Sequence, residues 1–538
     1  MSIEKRDVVI LGGGLAGLTL ALQLRRQDAD IRIRVLERRQ HPVPEAAFKV
    51  GESTVEIGAH YFANVLGLLP HLKTQHIRKF GFRFFFSDAS VNIQRSTELG
   101  VSMLLPTPSW QIDRGRFENF LAEQLPLHDI EFVDGASVRE VTLSDSDAPH
   151  RLRYLHAGLE HQLEAHWLVD AAGRAGLIKR KLGLEKNNAH DVNSVWWRVE
   201  GFVDPNDWSE DADWQARCVP PDRWRSTNHL CGPGYWVWMI PLGSHAHSIG
   251  IVADQQMHPL ESLNSHEKAM HWLRQHQPRL ADLLARPQHA LMDFRFLKHF
   301  SHECQQVFST QRWALSGEAG YFADPFYSPG SDFIAISNSY IAELIRLERS
   351  GQPIGLHVAL FEQLYRGFYD NTMSLYLGQY PLFGNAEVMP VKVIWDYTFY
   401  WALLAPLFIS GRIANIQVLS RLRSDMERAA ALNAAMQPLL RQWGEHSDYG
   451  TPDDGRLLDQ YRIGWFHEMN RALGDVLDDE RFIAKIHANI GQLAQLALEI
   501  ATQVKARYRQ VDTAPLLALL QDVTAPEPAM LDPAWFPG

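Results

Sequence analysis

ILGGGLAGL, residues 10–18, decides how this chain begins to fold. Its glycines at 12, 14 and 17 have the spacing G-x-G-x-x-G. RDVVILGG reads as a strand, LAGLTLALQLRRQ as a helix and IRIRVLERR as a second strand. Together they predict a βαβ unit. In such a unit the glycines let the chain turn tightly and let its backbone approach a pyrophosphate at the helix N-terminus. Glu37 stands twenty residues beyond Gly17, at the end of the second strand. A carboxylate there accepts hydrogen bonds from a ribose diol and repels a 2′-phosphate. The glycine spacing alone describes only a tight turn. With the strand, the helix and the distant acid it describes a dinucleotide site.

Outward from this unit, short aromatic and β-branched strands dominate from about residue 80 to 300, as in KFGFRFFF, ARCV and YWVWMIPL. A further strand–helix unit is expected around WALSGEAG (313–320) and FIAISNSYIAELIRLE (333–348). Beyond about 400 helical spacing takes over, and 480–510 reads as one long amphipathic helix. The division expected is a core over 1–400, with an interleaved β-rich substrate region at about 80–110 and 190–300, and a helical region over 401–538. Ser53-x-x-Glu56 has the pattern of a capping box.

Composition narrows the class. The chain has 538 residues, 46% hydrophobic and 21% charged, as in ordinary globular proteins. A formal net charge of -11 without a basic stripe argues against nucleic acid. Three scattered cysteines form no disulfide framework, and no leader is evident before Val8, so a reducing cytoplasm is expected. YTFYWALLAPLFIS (397–410) is too short to span a bilayer. A buried helix is expected there, with membrane contact as the alternative. His245-x-His247 and the set His299, His302, Cys304 match no four-ligand pattern, so no metal is expected.

Three further segments point to FAD. WQIDRGRFENFLAEQL carries Arg114 at a helix start, WLVDAAGRAG carries Asp170, and LSGEAGYFADP carries Gly317 and Glu318. All three resemble flavin-contact segments of hydroxylase-type flavoproteins. The expected fold is therefore α/β, a Rossmann-like FAD-binding domain with a β-rich substrate side and a helical C-terminal region. Within it, two patterns are specific: W-x-W-x-I-P as Trp236, Trp238, Ile240 and Pro241, and F-x-x-P-x-x-S-x-G as Phe322, Pro325, Ser328 and Gly330. With Lys79 in HIRKFGFRFFF, downstream of FKVGEST at 48–54, they resemble the flavin-dependent halogenases over about residues 5–350.

That resemblance implies a two-component enzyme. FAD arrives as FADH2 from a separate flavin reductase, and O2 and a halide (bromide, chloride or iodide) are converted into hypohalous acid. Trp236 and Trp238, two apart on a strand and so on one face, keep the organic substrate from the oxidant. Lys79 hydrogen-bonds hypohalous acid or becomes a haloamine, a role suited to a compact donor. By itself Lys79 reads as a surface charge beside Arg78. The competing Lys49 suits a flavin-side loop. Other implied site residues are Ser328, and Gly330 for halide, with helix N–H groups there to stabilise the reduced flavin.

Departures shape the rest. Tyr327 stands where tryptophan halogenases have a glutamate, so a phenol, pyrrole or indole, free or carrier-bound, is expected and not free tryptophan. Glu318 replaces the usual aspartate. Pro329 lacks an N–H. The missing hydrogen bond is worth about 1.5–3 kcal/mol, so weak halide binding is expected, favouring bromide or iodide. An aromatic hydroxylase of the same fold is the alternative enzyme. A flavin-fold protein binding a hydrophobic ligand or partner through its helical region is the alternative outside catalysis.

Overall fold

A computed structural model describes residues 3–45, 51–86, 92–447 and 455–536. Lys49 lies outside them. The chain forms two compact units: 1–74, 112–188 and 301–370 make the first, and 75–111, 189–300 and 371–538 the second. The helical region from 371 onward is part of the second unit.

In the first unit, the strand Glu4–Leu11 runs into the helix Leu15–Gln27 and returns as the strand Ile33–Leu36. Parallel pairing joins Glu4–Leu11 to Ile33–Leu36 on one side and to Leu159–Asp170 on the other. The sheet continues to Glu131–Val133 beyond Ile33–Leu36, and to His150–His156 and Ser137–Thr142 beyond Leu159–Asp170. The short strand Trp313–Leu315 pairs with the end of Leu159–Asp170. Residues 8–11 and 33–36 are buried throughout, as parallel strands covered on both faces must be. The helix Gly330–Arg349 follows the Trp313–Leu315 strand.

The second unit is built on an eight-stranded sheet. Its order is Leu291–Leu297, Val192–Glu200, Ala246–Asp254, Tyr235–Pro241, Thr227–Gly232, Phe82–Phe86, Thr97–Gly100 and Leu457–Asp459. All seven residues of Tyr235–Pro241 are buried. Tyr235, Val237 and Met239 face a core shared with Trp197, Ile249, Ile251 and the helices His266–His276 and Pro278–Leu284. Trp236 and Trp238 take the opposite face, as the period of two requires. The long C-terminal helix spans Asp479–Arg507, with a stripe including Ile486, Ile490, Leu493 and Ile500 buried.

One local expectation fails: ARCV (216–219) is a turn and not a strand. The helix after Ser53 starts at Glu56, with Val55 at its cap. Trp401, Ala402 and Ala405–Phe408 are buried, and among the described residues no helix is long and apolar enough to cross a membrane.

His247 makes the second unit sensitive to acid. Its ring is fully buried, and its Nδ1 accepts the Val203 N–H at 3.1 Å. Burial, helped by the nearby His289, lowers its pKa to about 3. The unfolded imidazole protonates near pH 6.5, so the unfolded state binds more protons below that pH and stability falls as pH drops. Between pH 6.5 and 5 this one group contributes a loss of about 2 kcal/mol. His247→Gln, which keeps an acceptor, should show a correspondingly shallower decline in urea denaturation over that range. Equal slopes for the two proteins would remove His247 as the cause.

Candidate functional site

In the first unit the glycine loop works by close approach. Gly12 has φ +108°, and a Cβ built on it would fall 2.4 Å from the Ala171 carbonyl oxygen. A Cβ on Gly17 would fall 2.0 Å from the Gly12 carbonyl oxygen. Neither position tolerates a side chain. Gly14 occupies the cap position of the helix Leu15–Gln27 in extended conformation. That helix has no acidic residue in its first turn, so its N-terminal N–H groups and dipole favour an anion. Glu37 is fixed beside the loop. One carboxylate oxygen accepts the Gly13 N–H at 2.6 Å and the other the Arg39 N–H at 2.8 Å.

Two more segments converge here. The Ser316 N–H donates to the Asp170 carbonyl at 2.9 Å. Gly317, with φ +58°, leaves its Cβ position 3.1 Å from Ile334 and 3.2 Å from Ala16, so it fits between two helices. The Glu318 carboxylate reaches within 3.9 Å of the Cβ position of Gly173, bringing the longer acid to the 170–176 turn. Asp170 itself is occupied. Its oxygens accept the Ala172 N–H at 3.0 Å and the Ile178 N–H at 2.7 Å, and burial raises its pKa to about 6 despite those bonds. It shapes this turn with both oxygens. Arg114 lies apart from these contacts. It opens the helix Arg114–Leu127, pairs with the buried Glu118 at 2.8 Å and leans toward Gly51.

The helix Gly330–Arg349 begins from a strained turn. Ser328 has φ +53°, and its N–H is already given to Pro325 O at 2.8 Å. Pro329 supplies no N–H. Gly330 is the first helical residue, and a Cβ on it would meet none of the described residues within 4 Å. As the first residue of a twenty-residue helix it carries a backbone N–H with no partner inside that helix. Asp332 is turned away from it to accept the Gly58 N–H at 2.8 Å.

Asn338, on the same helix, carried no signal in the sequence. It is fully buried, and its amide nitrogen lies 3.1 Å from the Ala16 carbonyl and 3.0 Å from the Tyr61 hydroxyl. Its amide oxygen accepts the Ser316 hydroxyl at 2.6 Å. One side chain thus ties the glycine-loop helix to the turn that precedes Gly317. The Cβ-free loop, the acid beside it and the helix N-terminus together fit a dinucleotide such as FAD.

In the second unit the two indoles are locked in place. Trp236 Nε1 donates to the Tyr380 hydroxyl at 3.0 Å, and Trp238 Nε1 to the Ser248 hydroxyl at 3.1 Å. The rings are 5.7 Å apart. Trp238 lies across Gly250 so closely that a Cβ there would come within 2.2 Å of the indole. From Trp236 the aromatic face continues through His229, 5.2 Å away, to Phe82, a further 5.4 Å. Lys79 ends this path. Only 3% exposed, it holds its ammonium 3.2 Å from the centroid of the Phe82 ring. It is therefore a buried amine and not a surface side chain. Tyr397 borders the same ring at 6.0 Å, so part of the apolar 397–410 stretch packs at this end of the sheet. Gly250, Ser248 and Tyr380, which hold the indoles, were not distinguishable in the sequence from other strand and loop residues.

Comparison with known proteins finds flavoproteins and flavin-dependent halogenases. The FAD binding domain family matches residues 5–248. A flavin-dependent halogenase, chlA, of Dictyostelium discoideum is 28% identical over 486 residues, covering 84% of this chain and 79% of its own. A 1H-pyrrole-2-carbonyl peptidyl-carrier-protein brominase of Pseudoalteromonas luteoviolacea is 25% identical, covering 63% of this chain and 77% of its own. Among solved structures, that of CmlS, a flavin-dependent halogenase, shares the fold with a TM-score of 0.58 at 21% identity, over 87% of this chain and 76% of that one. With a Rossmann-like sheet carrying the glycine loop and two tryptophans set on one strand face, the chain is similar to the FAD binding domain family over residues 5–248 and to flavin-dependent halogenases over most of its length.

Proposed function

We propose that the protein halogenates an electron-rich aromatic, using O2, a halide and FADH2 delivered by a separate flavin reductase. The observation that carries this reading is the burial of Lys79 against Phe82, on the aromatic face that includes Trp236 and Trp238. A lysine is seldom buried, and an amine among aromatic rings is placed to handle a small electrophile. Reduced FAD, when bound, supplies with O2 the oxidising power that turns halide into hypohalous acid. Gly12, Gly14, Gly17 and Glu37 would hold its adenosine diphosphate half. Asp170, Gly317 and Glu318 would shape the adjoining turns, and Arg114 would act from the start of its helix. Ser328 sets the turn that presents Gly330, whose N–H would receive the halide.

Lys79 then directs the halogen. As an ammonium it donates a hydrogen bond to the oxygen of hypohalous acid, which makes that oxygen a better leaving group. As a neutral amine it takes the halogen and releases water, then passes the halogen on. In both routes the ring gains the halogen and gives up a proton, and the oxygen departs as water. Trp236 and Trp238 exclude the organic substrate from the oxidising step, which favours halogenation over hydroxylation.

The substrate we infer is a phenol, pyrrole or indole other than free tryptophan. Tyr327 stands at the position of the assisting glutamate in tryptophan halogenases, and an activated ring needs less help in losing its proton. The pyrrolyl carrier-protein brominase among the relatives supports a carrier-bound acceptor as well as a free one.

Two sets of variants test the assignment. Lys79→Ala should keep its flavin yet lose at least 100-fold in halogenation, about 2.7 kcal/mol of transition-state stabilisation. Undiminished product formation would end the role given to Lys79. Gly12→Ala should weaken FAD binding at least 10-fold by titration of flavin fluorescence, because the new methyl has no room. Gly330→Ala has room, so it should bind FAD normally and raise the KM for bromide severalfold. An unchanged bromide KM would place the halide elsewhere.

A further inference from the structure

On the aromatic face of the second unit one ring differs in kind from its neighbours. His229 lies on the strand Thr227–Gly232, opposite Trp238 on one adjoining strand and beside Phe84 on the other. The period of two sends Leu230 into the core with Phe85 and Val237, and leaves His229 on the face of the two indoles. Its ring stacks on Phe84, with centroids 4.7 Å apart and planes at 18°. It is also 5.2 Å from Trp236 and 5.4 Å from Phe82, and only 1% exposed. Phe82 is the ring against which Lys79 lies. The imidazole and the amine therefore meet the same phenylalanine.

Packing in this stack asks only for a flat side chain. Phe82 and Phe84 meet that need with carbon alone, and an indole N–H is a donor with no acceptor beside it. Among Trp236, Trp238, Phe82, Phe84 and His229, the imidazole alone can take up and return a proton near neutral pH.

Aromatic halogenation makes use of such a group. As the carbon–halogen bond forms, two ring electrons go to the halogen, and the oxygen–halogen bond breaks with its pair leaving on oxygen. The departing hydroxide takes a proton from the Lys79 ammonium and leaves as water. The ring then regains its aromaticity by giving up the C–H proton, whose bonding pair returns to the ring. Tyr327, at the position of the assisting glutamate, brings no carboxylate to receive that proton.

We propose that His229 is the base that receives it, and that it hands the proton to the neutral Lys79 amine, which restores the ammonium for the next turnover. The proposal rests on the halogenase reading and on the place of Lys79 in it.

An isotope competition tests it. Phenol, pyrrole and indole, each mixed in equal parts with its ring-deuterated form, are supplied to the protein with FAD, a flavin reductase, NADH, O2 and bromide. Mass spectrometry reads the isotopic content of the brominated products. In the parent protein loss of the ring proton is fast, so light and heavy acceptors should be brominated equally. His229→Phe keeps a flat ring in the stack and removes the base. Its bromination should slow about 100-fold, and the light acceptor should now be favoured by about 2-fold or more, because breaking the C–H bond has become the slow step. His229→Asn, which is no base either, should show the same preference. Circular dichroism and flavin loading equal to the parent protein would certify each variant as folded. A variant as fast as the parent, or one that is slow without any isotope preference, would overturn the role of His229 and leave the halogenase reading standing. Parent protein that brominates none of the three acceptors would remove that reading, and this proposal with it.

Discussion

The absence of a side chain at Gly12 is the constraint on which the first unit rests. The backbone of the first strand's exit passes so near Ala171 that a single methyl group would collide with its carbonyl. Gly17 repeats the argument one turn into the helix, against the Gly12 carbonyl itself. Because these approaches are made, the ends of three parallel strands lie together, and the turns after Leu11, Asp170 and Leu315 share one neighbourhood. Asn338 fastens the helix of one turn to the next. A helix N-terminus without acids and a carboxylate fixed by two backbone donors follow from that packing. The same device appears in the second unit, where Gly250 gives Trp238 space to lie flat across its neighbouring strand.

Buried charge recurs through the second unit. Arg83, Glu98 and Arg223 are all fully buried, and burial alone would raise the Glu98 pKa, but the two guanidiniums hold it below its usual range. Lys392 is equally buried and is held by Asp396 and Gln437, each at 2.8 Å. These groups knit strands and helices together, and removing one partner would leave a charge uncompensated at a cost of about 3–5 kcal/mol. Lys79 lies against an aromatic ring, at the end of a path of rings that includes both indoles. Attraction of an ammonium to a ring face is worth about 0.5–2 kcal/mol.

Much of this was legible in the chain itself. The βαβ opening could be read because glycine spacing, hydrophobic strands and the Glu37 distance all have local causes. The two faces of the tryptophan strand followed from a period of two. The buried state of Lys79 could not be read, since it depends on Phe82 and on elements remote in sequence. ARCV was misread because its β-like residues are overruled by turn geometry, with Val219 62% exposed. Asn338, Ser248, Tyr380 and Gly250 escaped notice for one reason: each is defined by a partner distant along the chain.

The most direct measurement is mass spectrometry of the products formed by purified protein with FAD, a generic flavin reductase, NADH, O2 and bromide, offered a panel of phenols, pyrroles and indoles. The account predicts at least one acceptor carrying the paired isotopic masses of bromine, with little oxygen incorporated. Products bearing oxygen in place of bromine, under conditions where the flavin is reduced and reoxidised, would contradict it.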